Sequence, residues 1–161
     1  MTDKNSLGLV PLDEQTVEHD FAILERFQDF SAELLRLALL GISAIGFAVS
    51  KMLFPDKEGG ALHISDNAKV LLAISLIFFG LATGSALLHR YAAADSMSWH
   101  LQAMRRYARG NKEDLVKAEG ETARRLNCFR TSKEAIIVAS ASLGLGALTL
   151  AVSISLSLWS Q

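Results

Sequence analysis

Cysteine, proline and tyrosine are scarce in this chain of 161 residues, which has one cysteine, two prolines and two tyrosines. Because Cys128 has no second cysteine to pair with, the sequence excludes an intrachain disulfide, a thiolate metal cluster and a Cys-x-x-Cys redox pair. Pro11 and Pro55 leave long stretches without a helix breaker. Residues 1–12 also lack an apolar run, so we expect no secretory signal there and expect the first apolar block to direct membrane insertion.

Catalytic and metal-binding patterns are also missing. The four histidines are scattered, without the i, i+4 spacing of a helical metal site. The sequence has no nucleophile elbow and no phosphate loop, and Glu119 and Glu121 are interpreted as solvated rather than as an acid and base pair. We therefore expect no enzyme activity, no cofactor and no metal. His89 is interpreted as a structural hydrogen-bonding residue, and a pH switch at His89 or His100 is the alternative.

Three apolar blocks decide the class of this protein. Residues 70–88 and 135–159 contain no charged residue, and each is long enough to cross a hydrocarbon core of about 30 Å. The first block, 37–50, is short, but it extends to 34–54 if Arg36 and Lys51 bend toward the lipid headgroups. A buried or interfacial helix is the alternative for this block.

The predicted fold is therefore an all-α integral membrane protein, with three transmembrane helices extended by cytosolic helical arms into a three-helix bundle. Asp66 is predicted to cap the second helix, and Gly110-Asn111 to end it. The predicted order is a flexible N-terminus (1–12) followed by one membrane-spanning domain (13–161). That domain comprises an acidic cytosolic helix (13–33), a first span (34–54), an outer loop (55–69), a second span (70–89), a basic cytosolic hairpin (90–133) and a third span (134–159).

The positive charges predict the orientation. Residues 90–133 contain ten Lys or Arg against five acidic residues, whereas the loop between the first two spans has three basic residues. The positive-inside rule places such a basic segment in the cytosol. We therefore expect an integral plasma (inner) membrane protein with its N-terminus in the cytosol and its C-terminus outside.

The first 33 residues have eight acidic and two basic residues, so they have the opposite charge from the hairpin. Two segments of opposite charge on one side of a membrane attract each other, within one subunit or between subunits. The predicted pairing involves Glu25, Asp29, Arg105, Arg106 and Arg109. Two separate solvated faces are one alternative, and an anionic ligand on the basic residues is another. Nucleic acid is not expected, because no recognition motif is present.

Small residues line two faces of the third span. The first face recurs at steps of three and four residues, which is typical of one side of a helix. It includes Ser142, Gly146, Thr149, Ser153 and Ser157, and we interpret it as a helix-packing stripe, with a pore lining as the sharper alternative. The second small face comprises Ser140, Gly144, Ala147, Ala151 and Ser155.

The other spans also have small residues that favour close helix packing, namely Gly80 and Gly84 in the second and Gly41 and Ala44 in the first. One small face on each helix is enough for the three helices of a monomer to pack closely together. The additional face on the third span therefore predicts a homo-oligomer in the lipid bilayer.

These observations favour a non-enzymatic homo-oligomeric membrane protein, with a channel or pore gated by its cytosolic helices as the most concrete form. The alternative is a membrane scaffold or accessory subunit that recruits a cytosolic protein.

Overall fold

The computed structural model describes residues 14–53 and 65–159, which form three long α-helices. They are α1 (Glu14–Leu53), α2 (Asp66–Arg109) and α3 (Lys112–Trp159). All three are long and apolar enough to cross a membrane, so the predicted all-helical class with three candidate spans is confirmed. The predicted flexible N-terminus and most of the predicted outer loop lie outside the described residues. Side chains are described for residues 22–51 and 65–159.

The ends of α2 follow ordinary capping chemistry. The Ala68 amide donates to the Ser65 hydroxyl at 3.4 Å, which places Ser65 at the N-cap. The prediction that Asp66 caps this helix is therefore wrong by one residue, since Asp66 is already the first helical residue and pairs with Lys69 instead. At the other end, Gly110 has φ 71°, a left-handed conformation that glycine adopts without a Cβ clash and that ends α2.

Contacts divide the chain into two units, and each helix contributes to both. The apolar unit comprises Phe30–Leu87 and Ala135–Gln161. The polar unit comprises Met1–Asp29 and Leu88–Glu134. The single membrane-spanning domain over 13–161 stays a prediction.

Two apolar clusters form the core of the apolar unit. One is built on Ala38, Ile45, Leu72, Phe79 and Ala82, and the other on Leu34, Ala86, Ile136 and Ala139. Leu143 packs against both clusters. Residues from all three helices are therefore packed together in this unit.

The buried face of α2 is formed by residues that recur every seven positions. These residues are at most 6% exposed, and they are Ala68, Ser75, Ala82, His89, Ser96 and Ala103. A seven-residue repeat keeps one side of a helix against its neighbour over a long distance. All but His89 are small, so the α2 backbone can approach the neighbouring helix closely along this face.

Candidate functional site

The Phe79 ring of α2 lies between two glycines in the apolar unit. A Cβ added at Gly41 of α1 would lie 2.4 Å from Phe79 Cζ, and one added at Gly146 of α3 would lie 3.3 Å from Phe79 Cδ1. The ring itself is 3% exposed. Gly41 and Gly146 therefore provide the space in which one aromatic side chain contacts all three helices.

Two serine hydroxyls link α2 and α3 in the same unit. Ser75 Oγ donates to the Gly146 carbonyl at 2.7 Å, and Ser153 Oγ donates to the Ala68 carbonyl at 2.8 Å. Both serines are buried. In a membrane, hydrogen bonds of this kind hold neighbouring helices together because no water competes for the groups.

The first small face of α3 therefore lies against the rest of its own chain. Ser142, Gly146 and Ser153 are buried, and Thr149 and Ser157 are half-buried. The Thr149 hydroxyl donates within its own helix, to the Leu145 carbonyl at 2.9 Å. A pore lined by this face requires α2 to move away from α3.

The second small face of α3 is uncovered. Its five residues, Ser140, Gly144, Ala147, Ala151 and Ser155, are all exposed. A Cβ added at Gly144 meets no atom of the described residues within 4 Å. The Ser140 and Ser155 hydroxyls donate to carbonyls one turn earlier in the same helix, so they need no partner elsewhere.

Of the other small residues singled out in the sequence, Gly41 lies in the packed core, whereas Ala44, Gly80 and Gly84 are exposed. Within the part of the chain that the structure describes, Cβ atoms added at Gly80 and Gly84 meet nothing within 4 Å. The structure thus buries a different side of α2 from the one that contains Gly80 and Gly84, and packing of these two glycines against another helix stays a prediction. The seven-residue spacing of small residues was the signal that identifies the buried side.

His89 is the large polar residue in the buried repeat of α2. Its ring is 2% exposed, and Nδ1 lies 2.9 Å from both the carbonyl and the hydroxyl oxygen of Ser132 on α3. A proton on Nδ1 donates to the carbonyl, whereas an unprotonated Nδ1 accepts from the hydroxyl. The Phe27 ring of α1 lies 6.2 Å away, and Nε2 has no hydrogen-bond partner in the described part of the chain. The geometry fits the interpretation as a structural hydrogen-bonding residue.

Asp95 accepts hydrogen bonds from two other side chains of the polar unit. Its Oδ2 accepts from the Trp99 indole at 3.1 Å and from the Cys128 thiol at 3.2 Å. Arg124 stacks over the Trp99 ring at 4.9 Å. Burial, followed by the contact with the Asp95 carboxylate, raises the pKa of the Cys128 thiol, because both disfavour the thiolate. A raised pKa leaves less of the nucleophilic thiolate of Cys128 at neutral pH.

Arg106 pairs within the hairpin of the polar unit. Its Nε donates to Glu121 Oε1 at 2.6 Å, and its Nη1 donates to Asp114 Oδ1 at 3.3 Å. These contacts raise the pKa of the Arg106 guanidinium further above its ordinary value, with Glu121 as the largest cause. Glu121 is 7% exposed, so its interpretation as a solvated acid is wrong. Its proximity to Arg106 offsets the cost of burying the charge.

Among the described residues, no ion pair joins Glu25 or Asp29 to Arg105, Arg106 or Arg109, and a pairing between subunits stays a prediction. Two contacts fix which residues of α1 lie opposite which residues of α2. They are the Phe27–His89 contact and the 3.4 Å bond from Gln28 Nε2 to the Arg90 carbonyl. Arg105 lies 16 residues beyond His89, or about 24 Å along the helix. The three arginines are therefore too far along α2 to reach the two acids.

The structure also shows how exposed the residues of this predicted pairing are. Glu25, Asp29 and Arg109 are exposed, and Arg105 is half-buried with its Nε unpaired among the described residues.

No group of three His, Cys, Asp or Glu in the part of the chain that the structure describes is arranged to hold a metal ion. No protein-family model, curated protein or solved structure matches this chain.

Proposed function

We propose that this chain is a non-enzymatic membrane protein that forms a homo-oligomer through the second small face of α3. The observation that supports the proposal is the exposure of all five residues of this face, while the residues of the first small face are buried or half-buried. In lipid, small residues favour helix association because they let two backbones approach closely. A face of five small residues without a neighbour is therefore suited to a helix of another copy.

The distribution of charged residues also supports an orientation of the chain in the membrane. The three helices cross the plasma (inner) membrane, and the basic residues of 90–133 hold the polar unit in the cytosol. In this arrangement each helix contributes one segment to the apolar unit in the membrane and one segment to the polar unit in the cytosol.

A channel or pore is the concrete form that we propose for the oligomer. Copies of the second small face around a common axis bring Ser140 and Ser155 toward that axis. Small residues and hydroxyl groups leave room for a narrow polar path. The polar unit, whose helices are continuous with the spans, then acts as the gate.

The test begins with the number of copies in the detergent-purified protein, measured by native mass spectrometry. We expect a closed ring of four or more copies, and we expect Gly144→Leu to reduce it to monomers. Gly46→Leu is the matched control, because Gly46 is also exposed and no described residue lies within 4 Å of a Cβ added there. A monomeric wild type contradicts the proposal, and equal effects of the two variants contradict the choice of the α3 face.

Conductance of proteoliposomes then tests the pore. The wild type is expected to conduct ions and Gly144→Leu is expected not to. An oligomer without conductance favours the second candidate, a scaffold that recruits a cytosolic protein. Exposed apolar side chains on α3 of the polar unit support that alternative, among them Val116 and Leu126 at 70% and 62% exposure.

A further inference from the structure

Two oppositely charged surfaces of the polar unit face away from its core. On α1, Glu25 and Asp29 are exposed, one helical turn apart. On α3, Arg130 and Lys133 are exposed, three residues apart. Neither acid forms an ion pair with a residue that the structure describes, and Lys133 likewise has no ion pair there. Among the described residues, the two surfaces therefore present complementary charges of which only Arg130 has an ion-pair partner, Glu134 on its own helix.

These two surfaces lie at the same level of the polar unit. The Phe27 ring contacts His89, and His89 lies 2.9 Å from Ser132, so these three residues mark one level on α1, α2 and α3. Glu25 and Asp29 are two residues on either side of Phe27, which is about 3 Å of helix. Arg130 and Lys133 are within two residues of Ser132, which is again about 3 Å or less.

The position of these residues along the helices matters because all copies of the protein lie at the same depth in one membrane. A cyclic assembly rotates each copy about an axis along the membrane normal, so a residue meets residues of its neighbour at its own level. From the geometry we infer that Glu25 and Asp29 of one copy pair with Arg130 and Lys133 of the next copy around the ring. This inference rests on the proposed homo-oligomer and names the contact that sets the order of its subunits.

Nearby side chains are compatible with this contact. Arg130 pairs with Glu134 one turn away, but both side chains are largely exposed, and such a pair exchanges partners at little cost. Phe129, beside Arg130 on α3, is 55% exposed and provides apolar area that a neighbouring helix can cover. Arg26 is the one described cation next to the two acids on α1, so the acidic surface keeps a net negative charge.

The contact is heterologous, because different surfaces of the two copies meet, and this gives a distinctive test. The first variant is Glu25→Lys with Asp29→Lys, and the second is Arg130→Glu with Lys133→Glu. Each variant alone brings like charges together, and we expect its self-association to weaken about tenfold. An equal mixture of the two restores opposite charges at every contact, so it is expected to form rings in which the variants alternate.

The measurement is native mass spectrometry of each variant and of the mixture, with one variant tagged so that mixed rings have a distinct mass. The matched control is Arg109→Glu with Lys112→Glu, an exposed pair on the same hairpin but about 30 Å from the proposed contact along α2. We expect this control to assemble as the wild type does. Circular dichroism verifies that each variant keeps its helices.

The outcomes separate this inference from the proposed function. Assembly of the wild type that is unchanged in both variants overturns the inference and leaves the homo-oligomer standing. A monomeric wild type overturns the proposed function, and the inference with it. If the second variant loses only its binding to phosphatidylserine vesicles and still assembles, Arg130 and Lys133 contact lipid headgroups, which also overturns the inference.

Discussion

Gly41→Ala is the sharpest test of how the apolar unit is packed. The added Cβ would lie 2.4 to 2.6 Å from three atoms of the Phe79 ring, whereas carbon atoms normally pack 3.5 to 4.0 Å apart. The ring therefore has to move by about 1 Å. It cannot move freely, because Phe79 is 3% exposed and the α3 backbone at Gly146 lies on the other side of the ring, where an added Cβ would be 3.3 Å from Phe79 Cδ1. Overpacking of this kind costs about 1–3 kcal/mol.

The assay is the free energy of unfolding in detergent micelles, measured by titration with sodium dodecyl sulfate. Gly46→Ala is the control, since it makes the same change five residues along α1, where an added Cβ meets nothing within 4 Å. We expect Gly41→Ala to be less stable than Gly46→Ala by about 1–3 kcal/mol.

A double-mutant cycle identifies the cause. Phe79→Leu alone leaves a gap in the core and destabilises the protein. Combined with Gly41→Ala, the smaller side chain makes room for the new methyl group, so the two effects are expected to sum to less than their separate costs. Equal stabilities of Gly41→Ala and Gly46→Ala, or strict additivity in the cycle, would refute the packing of Phe79 between the glycines.

Two further predictions test polar contacts. Ser75→Ala, which removes the bond to the Gly146 carbonyl, is expected to cost about 0.5–1.5 kcal/mol, while Ser140→Ala, whose hydroxyl bonds within its own helix, changes unfolding little. Alkylation of Cys128 by iodoacetamide is expected to have its pH midpoint above that of a free cysteine. Asp95→Asn removes the charge that disfavours the thiolate, so the midpoint falls and labelling at pH 8 becomes faster. An unchanged midpoint in Asp95→Asn contradicts the contact between the carboxylate and the thiol.

The sequence by itself determined the helices. Charge-free apolar runs and the absence of proline within them predict three long helices, and Gly110 predicts the end of α2, because these effects act over a few neighbouring residues. The N-cap was misassigned by one residue because Ser65 and Asp66 have equally suitable oxygen acceptors. Which of the two accepts the amide depends on the local backbone.

Only the tertiary structure decided which faces meet. Gly80 and Gly84 are as small as Gly41, yet they are uncovered while Gly41 contacts Phe79. Composition gives the size of a side chain, whereas the partner depends on the rotation of each helix about its axis. The same holds for charge. The count of charges predicts attraction between α1 and the hairpin. The contacts of Phe27, His89 and Ser132 place Arg105 far from the level of the two acids, and Arg130 and Lys133 at that level. Coulomb attraction depends on such distances, which only the packed helices fix.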